Sequence, residues 1–450
     1  MVTKSSVKVI NKTIELNENE DGKQIREDMT ILAGKAAGIC YMPDDYLDNG
    51  IQDIEKAKKR ANNTANSGHF SVFEHGHISF LINTSKMMAM ILNSTGLYST
   101  SEKSARYTAM KPNTELESLM YTKWKNRFIG LIGAYYKGMY NDKDIEKLAM
   151  ENARYMISVF TPTLMEFTVP YNRAVLLPQW LNQLAVSIDL LMEANIEDNH
   201  STPYSDYAYF YNQIAMESRY LAEELFNAIG VSIQDPLLVD LKHIDIDFIR
   251  AAGYVSKLRS ICEDNCFNAY ENSKRTEFYS DVYISNYKAS FAEIAQAERH
   301  RTLHYTIELP MELDCYVPKM LRGSAFEIEW RDDFKSLLKN RVVPQCTLVD
   351  ITENGRFEDF FLKCKERLCS RAQLEIMEIT RGQVVKFAME SNNLCIMNKK
   401  MLDSMIRQTP NVNYKKPETI IVESRCRFTD FICKEPCKIA NDTINYYRNI

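Results

Sequence analysis

The sequence lacks a long apolar segment and an excess of charge of either sign. Its most apolar stretch, residues 174–192, falls short of the ~18 uninterrupted apolar residues that a membrane span needs. The interruptions are one proline and four polar residues, Pro178, Gln179, Asn182, Gln183 and Asp189. Lys and Arg (55) nearly balance Asp and Glu (60), leaving a net charge of −5, which disfavours general binding to nucleic acid. We therefore expect a small substrate and no membrane.

The amino terminus lacks the apolar core of a signal peptide. Its first residues, MVTKSSVKVINKTIELNENEDG, mix polar and apolar side chains throughout. The eleven cysteines are an odd number, and without a secretory signal they favour free thiols over a disulfide framework. These features together predict a cytoplasmic protein.

The composition is that of an ordinary globular protein, and helical periodicity dominates the chain. With 450 residues, 45% hydrophobic and 26% charged, two or three domains are expected. Apolar residues at helical spacing, such as Leu374, Met377, Val384 and Phe387, are interpreted as core. Helices are predicted over residues 54–65, 117–140, 144–159, 204–229, 244–270 and 371–389.

A strand is predicted in each half of the chain. Ile78, Phe80 and Ile82 alternate with Ser79, Leu81 and Asn83, which fits a half-buried strand, and Val282 and Ile284 alternate similarly. Each strand precedes a helix and then a polar segment, NSTGLYSTSEKSARY in the first half and RHRTLHYTIEL in the second. The repeated order indicates a weak internal duplication.

The boundary between the two halves is predicted near residue 240. Gly230 and Pro236, residues that interrupt helices and strands, lie just before it. We therefore predict domains over residues 1–240 and 241–420, followed by a cysteine-containing tail at 421–450.

The first polar segment carries Glu102, Ser104 and Arg106 at alternating positions. Such a set can offer a carboxylate, a hydroxyl and a planar guanidinium to one ligand, and a guanidinium binds a phosphate or a uracil edge through two hydrogen bonds. A solvated loop at the start of a strand is the alternative interpretation.

Three histidines and a glutamate lie close together upstream of this segment, which raises the alternative of a metal site. They are His69, Glu74, His75 and His77. His75 and His77 alternate on the predicted strand, and no second ligand cluster is evident. The pattern therefore does not favour a metal.

In the second half, Arg299, His300 and Arg301 follow a helix that carries Gln296 one turn earlier. Two arginines beside a histidine suit a phosphate or an anionic flavin ring. The alternative is a helix end whose cations offset the helix dipole.

The first half resembles the signature region of flavin-dependent thymidylate synthases. Residues 69–107, HFSVFEHGHISFLINTSKMMAMILNSTGLYSTSEKSARY, follow that region without a gap. The family's His-x-x-x-Φ-Glu-His opening falls on residues 69–75, and its Glu-x-Ser-x-Arg-Tyr element falls on residues 102–107. The family's Arg-His-Arg is replaced by Ser94, Thr95 and Gly96.

A later segment of the first half is similar to another part of the family pattern. ARYMISVFTPTLMEFTV resembles the Ala-Arg-x-x-Leu-Pro…Thr-Val segment and places Arg154 on the family's nucleotide-binding arginine. Ser158 stands in place of the proline. The family's Asn-x-Arg flavin motif is interpreted as replaced by Pro170, Tyr171 and Asn172.

The second half shows the converse pattern. Gln296 and residues 299–301 match the family's Gln-x-x-Arg-His-Arg, whereas its Glu-x-Ser-x-Arg is absent from TLHYTIELP. NGRFEDFFLKCKERLCSRAQLEI resembles the region that ends in Ala-Gln-x-Glu-Ile. It places Asn354 and Arg356 on flavin-binding positions and Arg367 on the arginine that favours ionisation at uracil N3. Each half thus keeps what the other has lost, which predicts one site built from both.

The resemblance implies FAD-dependent methylation of C5 of dUMP, with methylenetetrahydrofolate as carbon donor and NADPH as reductant. It implies an α+β fold of two synthase-like domains in tandem, each with helices packed on a mainly antiparallel sheet. A homodimer that forms a pseudo-tetramer is also implied. Arg367 would be catalytic. The implied nucleotide-binding residues are Glu102, Ser104, Arg106, Arg154, Gln296 and Arg299. The implied flavin-binding residues are His69, Glu74, Arg299, His300, Arg301, Asn354 and Arg356.

Two alternatives remain open beside thymidylate synthesis. One is a related C5 modification, such as hydroxymethylation, of a pyrimidine nucleotide. The other is a catalytically inactive nucleotide-binding or regulatory protein.

The carboxyl-terminal tail holds a group of cysteines that could bind zinc. Cys426, Cys433 and Cys437 lie close together in CRFTDFICKEPC, and Cys395 could be a fourth ligand. The spacing differs from the paired Cys-x-x-Cys pattern of structural zinc sites. A structural zinc therefore competes with the interpretation of idle thiols.

Overall fold

The computed structural model describes thirteen parts of the chain. They are residues 3–14, 16, 20–39, 53–67, 69–95, 98–105, 108–197, 207–231, 282–369, 372–389, 396–407, 413 and 415–428. The predicted helix at 244–270 and the predicted boundary near residue 240 lie outside them, so both stay predictions.

Helices make up most of the described chain. The predicted helix at 144–159 is shorter than expected, because residues 154–156 form a 3₁₀ turn and the backbone is extended at Ile157. The helices are α1 (Gly22–Gly38), α2 (Ile54–Asn66), α3 (Lys86–Asn93), α4 (Glu115–Tyr135), α5 (Asp142–Ala153), α6 (Tyr171–Glu197), α7 (Ala208–Ile229), α8 (Phe291–Ala297), α9 (Ala325–Lys339), α10 (Phe357–Arg367), α11 (Leu374–Met389) and α12 (Ile396–Met405).

Seven strands form two antiparallel sheets, which confirms the predicted α+β class. The predicted strands near Ile78 and Val282 are present, as β2 and β5. The strands are β1 (Ser6–Lys12), β2 (His77–Ser85), β3 (Ser99–Glu102), β4 (Pro162–Pro170), β5 (Val282–Ser290), β6 (His304–Glu308) and β7 (Leu348–Arg356). Their order is β1-β2-β4-β3 in one sheet and β5-β7-β6 in the other.

The chain divides into two compact units that do not follow its linear halves. Unit 1 contains residues 1–118 and 158–256, and unit 2 contains residues 119–157 and 257–450. Residues 119–157 join unit 2 because α4 packs on α9. Trp124 meets Trp330 edge to face, with ring centroids 4.7 Å apart, and its Nε1 donates to Asp333 at 2.7 Å.

Unit 1 buries one face of its sheet under helices. The alternate residues Ile78, Phe80 and Ile82 of β2 are fully buried, as period-two patterning predicts. Helices α1 and α2 approach so closely that a Cβ on Gly34 would lie 1.9 Å from the carbonyl oxygen of Ala57. Glycine at this point is therefore a packing requirement.

Unit 2 buries large apolar residues together with charged ones. Phe357 and Phe360 of α10 and Val349 of β7 are fully buried. Glu353 of β7 and Lys363 of α10 are fully buried as well. Among the described residues, no helix combines the length and the apolar character needed to cross a membrane.

Candidate functional site

The two sheets share one arrangement, which allows positions in the two units to be matched. Strand order is β2-β4-β3 in unit 1 and β5-β7-β6 in unit 2. The last residues of β2 and β5 are Ser85 and Ser290, and the first residues of β3 and β6 are Ser99 and His304. The separation in sequence between the two residues is the same in both pairs. The register therefore matches residues 94–96 to residues 299–301, in agreement with the sequence comparison.

Each unit ties the start of a short helix to a buried glutamate. In unit 1 the hydroxyl of Ser85 donates to Glu217, and in unit 2 the hydroxyl of Ser290 donates to Glu375 at 2.7 Å. Both serines also cap the helix that follows them. Burial raises the pKa of Glu217 and the pKa of Glu375. This shared serine–glutamate pair holds helix and strand together at the same place in both units.

Gln373 is the centre of a hydrogen-bonded cluster in unit 2. Its Oε1 accepts from Arg154 Nη2 and from Gln296 Nε2, and its Nε2 donates to the hydroxyl of Tyr155. Tyr155 in turn donates to Glu375 at 2.6 Å. Arg154 belongs to the first half of the sequence, yet it shares this cluster with residues from the second half. The structure thus brings together Arg154 and Gln296, two predicted nucleotide-binding residues.

Arg367 is held by two acceptors next to this cluster. Its Nε donates to His300 Nε2 at 2.7 Å and its Nη2 donates to the carbonyl oxygen of Gln296 at 2.9 Å. Burial, followed by the positive charges of Arg367 and Lys363, holds the pKa of His300 well below its usual value. His300 is therefore neutral near pH 7, and a neutral imidazole has one nitrogen that can accept this bond.

The predicted flavin-binding residues of unit 2 lie at one end of its sheet. Asn354 is paired with His304 across β7 and β6, and Arg301 comes shortly before His304 in the chain. Gly355 lies close to the same segment, because a Cβ there would be 2.6 Å from Leu303 Cδ2 and 3.6 Å from the carbonyl oxygen of Thr302. Arg356 follows Gly355, and its side chain is 66% exposed. This end of the sheet therefore collects positive charge and amide groups.

The register corrects one assignment made from the sequence. It matches Asn354 to Thr168 and Arg356 to Pro170, so the Asn-x-Arg positions in unit 1 are residues 168–170. Helix α6 begins immediately after β4, as α10 begins immediately after β7. Asn172 is therefore a helical residue, and its Nδ2 donates to Glu74 Oε1 at 3.1 Å.

We expect Gly355→Val to lower the free energy of unfolding by about 1–3 kcal/mol, because the added methyl groups overpack the contact with Leu303. Urea denaturation measures the change. Gly382→Ala in α11 is the matched control, since nothing beyond the backbone of its own helix lies within 4 Å of the point where a Cβ would stand. That control should be neutral or stabilising by about 0.5–1 kcal/mol, as alanine is the better helix former. Equal effects of the two substitutions would contradict the close approach at Gly355.

Only some of the predicted site residues of unit 1 lie in the part of the chain that the structure describes. Glu102 pairs with Lys86 at 2.6 Å, and both side chains are less than a tenth exposed. Ser104 is half-buried, His69 and Glu74 are exposed, and Arg106 lies outside the described residues. The prediction that Glu102, Ser104 and Arg106 face Gln296, Arg299 and Arg367 stays a prediction.

Most cysteines of the predicted zinc site lie outside the described part of the chain. Cys395, Cys433 and Cys437 are not among the described residues, and the Sγ of Cys426 lies 3.2 Å from the hydroxyl of Ser424. Within the described ranges, no group of three or more His, Cys, Asp and Glu side chains is arranged to hold a metal ion. A zinc in the tail stays a prediction.

Three residues of the unit 2 cluster were not predicted as site residues: Tyr155, Gln373 and Glu375. Gln373 and Glu375 lie in the Ala-Gln-x-Glu-Ile segment, so their presence in a recognisable motif was a usable signal. Tyr155 follows Arg154 directly and carried no signal of its own.

Comparison with known proteins gives one family match. Residues 26–173 match the family model described as thymidylate synthase complementing protein. The match spans about a third of the chain and includes Glu102, Ser104 and Arg154. No curated protein matches the chain by sequence.

Solved structures are similar at low identity. The UMP/dUMP methylase PolB from Streptomyces cacaoi, bound with 5-Br dUMP, is 16% identical, with coverage of 50% of this chain and 89% of that chain and a TM-score of 0.27. The flavin dependent thymidylate synthase ThyX from Helicobacter pylori, complexed with FAD and dUMP, is 18% identical, with coverage of 52% of this chain and 98% of that chain and a TM-score of 0.27.

Proposed function

We propose that this chain methylates C5 of dUMP with the help of FAD. The proposal proceeds from the match of residues 26–173 to the family model described as thymidylate synthase complementing protein. The family match supports the predicted resemblance and the predicted class of enzyme, a methyltransferase like the flavin-dependent thymidylate synthases. The folate donor, the nucleotide and the residues that bind them are parts of the proposal.

The observation that carries the proposal is the cluster around Gln373 in unit 2. Arg154 and Gln296 donate to its Oε1, and Arg367 is bonded to the carbonyl oxygen of Gln296. Arg154, Gln296 and Arg367 correspond by resemblance to the nucleotide-binding and ring-activating residues of the family. Gln296 Oε1 is buried without a hydrogen-bond partner in the described part of the chain, so it can accept from a nucleotide hydroxyl or N–H.

Arg367 is suited to activate the uracil ring. C5 of uracil is a weak nucleophile until the ring gains negative charge, and a cation beside the ring stabilises that charge as it develops. Such stabilisation is stronger in a largely buried site, where the effective dielectric constant is low. The Arg367 side chain is 13% exposed, and its bonds to His300 and Gln296 fix its direction before the substrate binds. We therefore assign Arg367 the catalytic role.

The end of the unit 2 sheet fits a flavin nucleotide. Arg301 and Arg356 are exposed at this end, and guanidinium groups are well matched to phosphate oxygens. Asn354 is 7% exposed and offers an amide that can donate or accept. FAD bound there would supply the reducing equivalents for converting the transferred carbon, donated by methylenetetrahydrofolate, into a methyl group, with NADPH as the external reductant. Arg299 would contact both nucleotide and flavin.

We expect one FAD per chain rather than two. The unit 1 residues matched to positions 299–301 are Ser94, Thr95 and Gly96, and those matched to Asn354 and Arg356 are Thr168 and Pro170, so unit 1 lacks the charged donors. Flavin absorbance after release from a known mass of protein measures the ratio. A ratio of two would contradict the proposal, and a colourless protein without affinity for added FAD would favour the inactive nucleotide-binding alternative.

Arg301→Ala should weaken FAD binding by about 10- to 100-fold, because a charge-assisted hydrogen bond contributes roughly 1.5–3 kcal/mol. Arg219→Ala is the matched control, since Arg219 is an exposed arginine of unit 1 that pairs with Asp189. Fluorescence titration of FAD measures both variants. Equal losses in the two would count against a flavin site at Arg301.

Product analysis tests the reaction itself. The protein is incubated with dUMP, methylenetetrahydrofolate, NADPH and FAD, and the nucleotides are identified by mass spectrometry. A gain of one methyl group, with loss of one hydrogen from C5, supports thymidylate synthesis. A hydroxymethyl product would support the related C5 modification instead, and unchanged dUMP would overturn both.

We further propose that Glu102, Ser104 and Arg106 contribute to nucleotide binding and that two chains assemble into a dimer. The first part follows from the family's Glu-x-Ser-x-Arg element, and the second from the presence of two similar units in each chain. Light scattering that shows a monomer at working concentration would contradict the dimer.

A further inference from the structure

Gln296 offers one unused hydrogen-bond acceptor in unit 2. Its Nε2 donates to Gln373 Oε1 and, at 3.3 Å, to the carbonyl oxygen of Ala292 one turn earlier in α8, so both N–H groups of the amide are used. Its Oε1 is buried and has no hydrogen-bond partner among the described residues. A buried acceptor is costly unless a ligand or a water molecule donates to it. The orientation of this amide therefore decides which ligand group can bind beside it.

A chain of hydrogen bonds that begins at two backbone N–H groups fixes this orientation. The N–H of Glu293 donates to the hydroxyl oxygen of Ser290 at 3.2 Å, and the N–H of Ser290 donates to Glu375 Oε1 at 2.8 Å. A backbone N–H can only donate. The hydroxyl proton of Ser290 is thus left to donate to Glu375 Oε2 at 2.7 Å, and Glu375 is an acceptor at both of its oxygens.

Tyr155 transmits this direction from Glu375 to the amide of Gln373. The hydroxyl of Tyr155 has one proton, which it donates to Glu375 Oε2 at 2.6 Å. On the side of Gln373 the hydroxyl can then only accept, and Gln373 Nε2 donates to it. Gln373 Oε1 is thereby left to accept from Gln296 Nε2. It also accepts from Arg154, whose guanidinium has no acceptor atom and so favours the same orientation.

Unit 1 has the serine–glutamate pair of this chain without the two amides. The shared register matches Gln296 to Ile91. Two residues before its glutamate, unit 1 has Ala215 where unit 2 has Gln373. Ile91 and Ala215 are both buried, as ordinary core residues are. The serine–glutamate pair is therefore a packing feature of both units, and the amides that depend on it belong to unit 2.

We propose that Glu375 and Tyr155 are positioning residues that keep Gln296 Oε1 available as an acceptor, so that the site selects a nucleotide with a hydrogen-bond donor at that point. The inference deepens the proposed function and rests on it, because Gln296 is a proposed nucleotide-binding residue. dUMP carries two donors of this kind, the N3–H of the ring and the 3′-hydroxyl of the sugar. dCMP has an unprotonated N3, and 2′,3′-dideoxyUMP lacks the 3′-hydroxyl.

Relative affinities for these three nucleotides test the role of Glu375. Calorimetry at neutral pH gives the Kd of each. The wild type should bind the analogue without the matching donor about 5- to 100-fold more weakly than dUMP, because a buried acceptor is left unpaired. In Glu375→Gln an N–H can replace the acceptor that holds the Tyr155 proton, so both amides lose their fixed direction and this preference should fall to about twofold or less. A change confined to dCMP identifies N3–H as the donor, and a change confined to 2′,3′-dideoxyUMP identifies the 3′-hydroxyl; either supports the inference.

Two further variants separate orientation from folding. Tyr155→Phe removes the hydroxyl that links Glu375 to Gln373, and it should reduce the same preference if Glu375→Gln folds poorly. Glu217→Gln alters the matched glutamate of unit 1 and should leave the preference unchanged. A purely structural role for Glu375 would weaken the binding of all three nucleotides equally, so the ratios of their Kd values would stay as in the wild type.

A second measurement needs no nucleotide. Glu375→Gln, Gln373→Met and the double variant are unfolded in urea. Because Tyr155 connects Glu375 to Gln373, the loss of unfolding free energy caused by Glu375→Gln should be smaller when methionine replaces Gln373, since no amide is then left to be misoriented. Losses that simply add would show that Glu375 does not orient Gln373.

The outcomes separate the inference from the proposed function. If the wild type binds no dUMP while the losses of unfolding free energy are not additive, the proposed function fails and the orienting chain stands. If dUMP binds and the Kd ratios are the same in the wild type, Glu375→Gln and Tyr155→Phe, the positioning role is overturned and the proposed function stands. A wild type that binds all three nucleotides equally well would also overturn the inference, because Gln296 Oε1 would then meet no donor of the nucleotide.

Discussion

Replacing Arg367 by alanine should lower kcat by about 100- to 1000-fold while changing the Kd for dUMP much less. Loss of one preoriented donor that stabilises developing charge has effects of this order in other enzymes. The guanidinium is held by His300 Nε2 and the carbonyl oxygen of Gln296, and under the proposed function it stabilises charge that develops on the ring. An interaction made mainly in the transition state lowers kcat without a matching loss of ground-state binding.

Two further variants sharpen this prediction. Arg367→Lys keeps the charge but loses the planar group that contacts two acceptors at once, so its kcat should fall between those of the wild type and Arg367→Ala. Arg219→Ala removes an exposed arginine of unit 1 and should leave kcat unchanged. Calorimetry gives the Kd and steady-state kinetics give kcat. A large loss of dUMP affinity with unchanged kcat in Arg367→Ala would assign Arg367 to binding alone.

Local patterning was sufficient to predict much of the fold. Alternation at Ile78–Ile82 and at Val282–Ile284 identified the strands β2 and β5, and apolar periodicity identified five of the described helices. The strands β1, β3, β4, β6 and β7 were not predicted. β3 has four residues and β6 has five, and windows so short contain too few alternations to separate a strand from a loop.

The membership of residues 119–157 in unit 2 could not be predicted from local pattern. A helix with an apolar face can pack on any apolar surface, and the choice between partners depends on shape and on specific polar contacts. Here Trp124 of α4 makes such specific contacts with α9: it packs on Trp330 and donates to Asp333. Arg154 enters the cluster around Gln373 as a consequence. Sequence alone therefore identified Arg154 as a candidate, and the fold shows which residues it contacts.

The burial of charged residues in the interior of unit 2 could not be predicted from the sequence either. Lys363 lies in FEDFFLKCKER, where lysine between apolar residues looks like the edge of an amphipathic helix. Its burial follows from pairing with a glutamate on a strand ten residues earlier, a contact that helix periodicity does not encode. A buried charge is recognised only when its partner is known.

Lys363→Leu should therefore be the most destabilising single substitution considered for this chain. Lys363 and Glu353 are both 0% exposed and 2.6 Å apart, so removal of the lysine leaves a buried carboxylate with its main counter-charge gone. Breaking one side of such a pair costs about 3–5 kcal/mol, measured as the change in unfolding free energy in urea near pH 7. Leucine is chosen as the replacement because Leu177 is buried at the same position of α6, counted from the helix start, that Lys363 has in α10.

A double variant separates lost charge balance from lost packing. In Lys363→Leu with Glu353→Gln, the remaining amide is neutral and can still accept from the hydroxyl of Tyr287, which now donates to Glu353 at 2.8 Å. Most of the stability should return, since a neutral polar group that keeps a hydrogen bond is far cheaper to bury than an ion. Lys288→Ala is the surface control: its pair with Asp350 is 3.3 Å long and largely exposed, so its loss should cost less than about 1 kcal/mol. If the double variant were as unstable as Lys363→Leu, packing around the lysine stem rather than an uncompensated carboxylate would be the source of the loss.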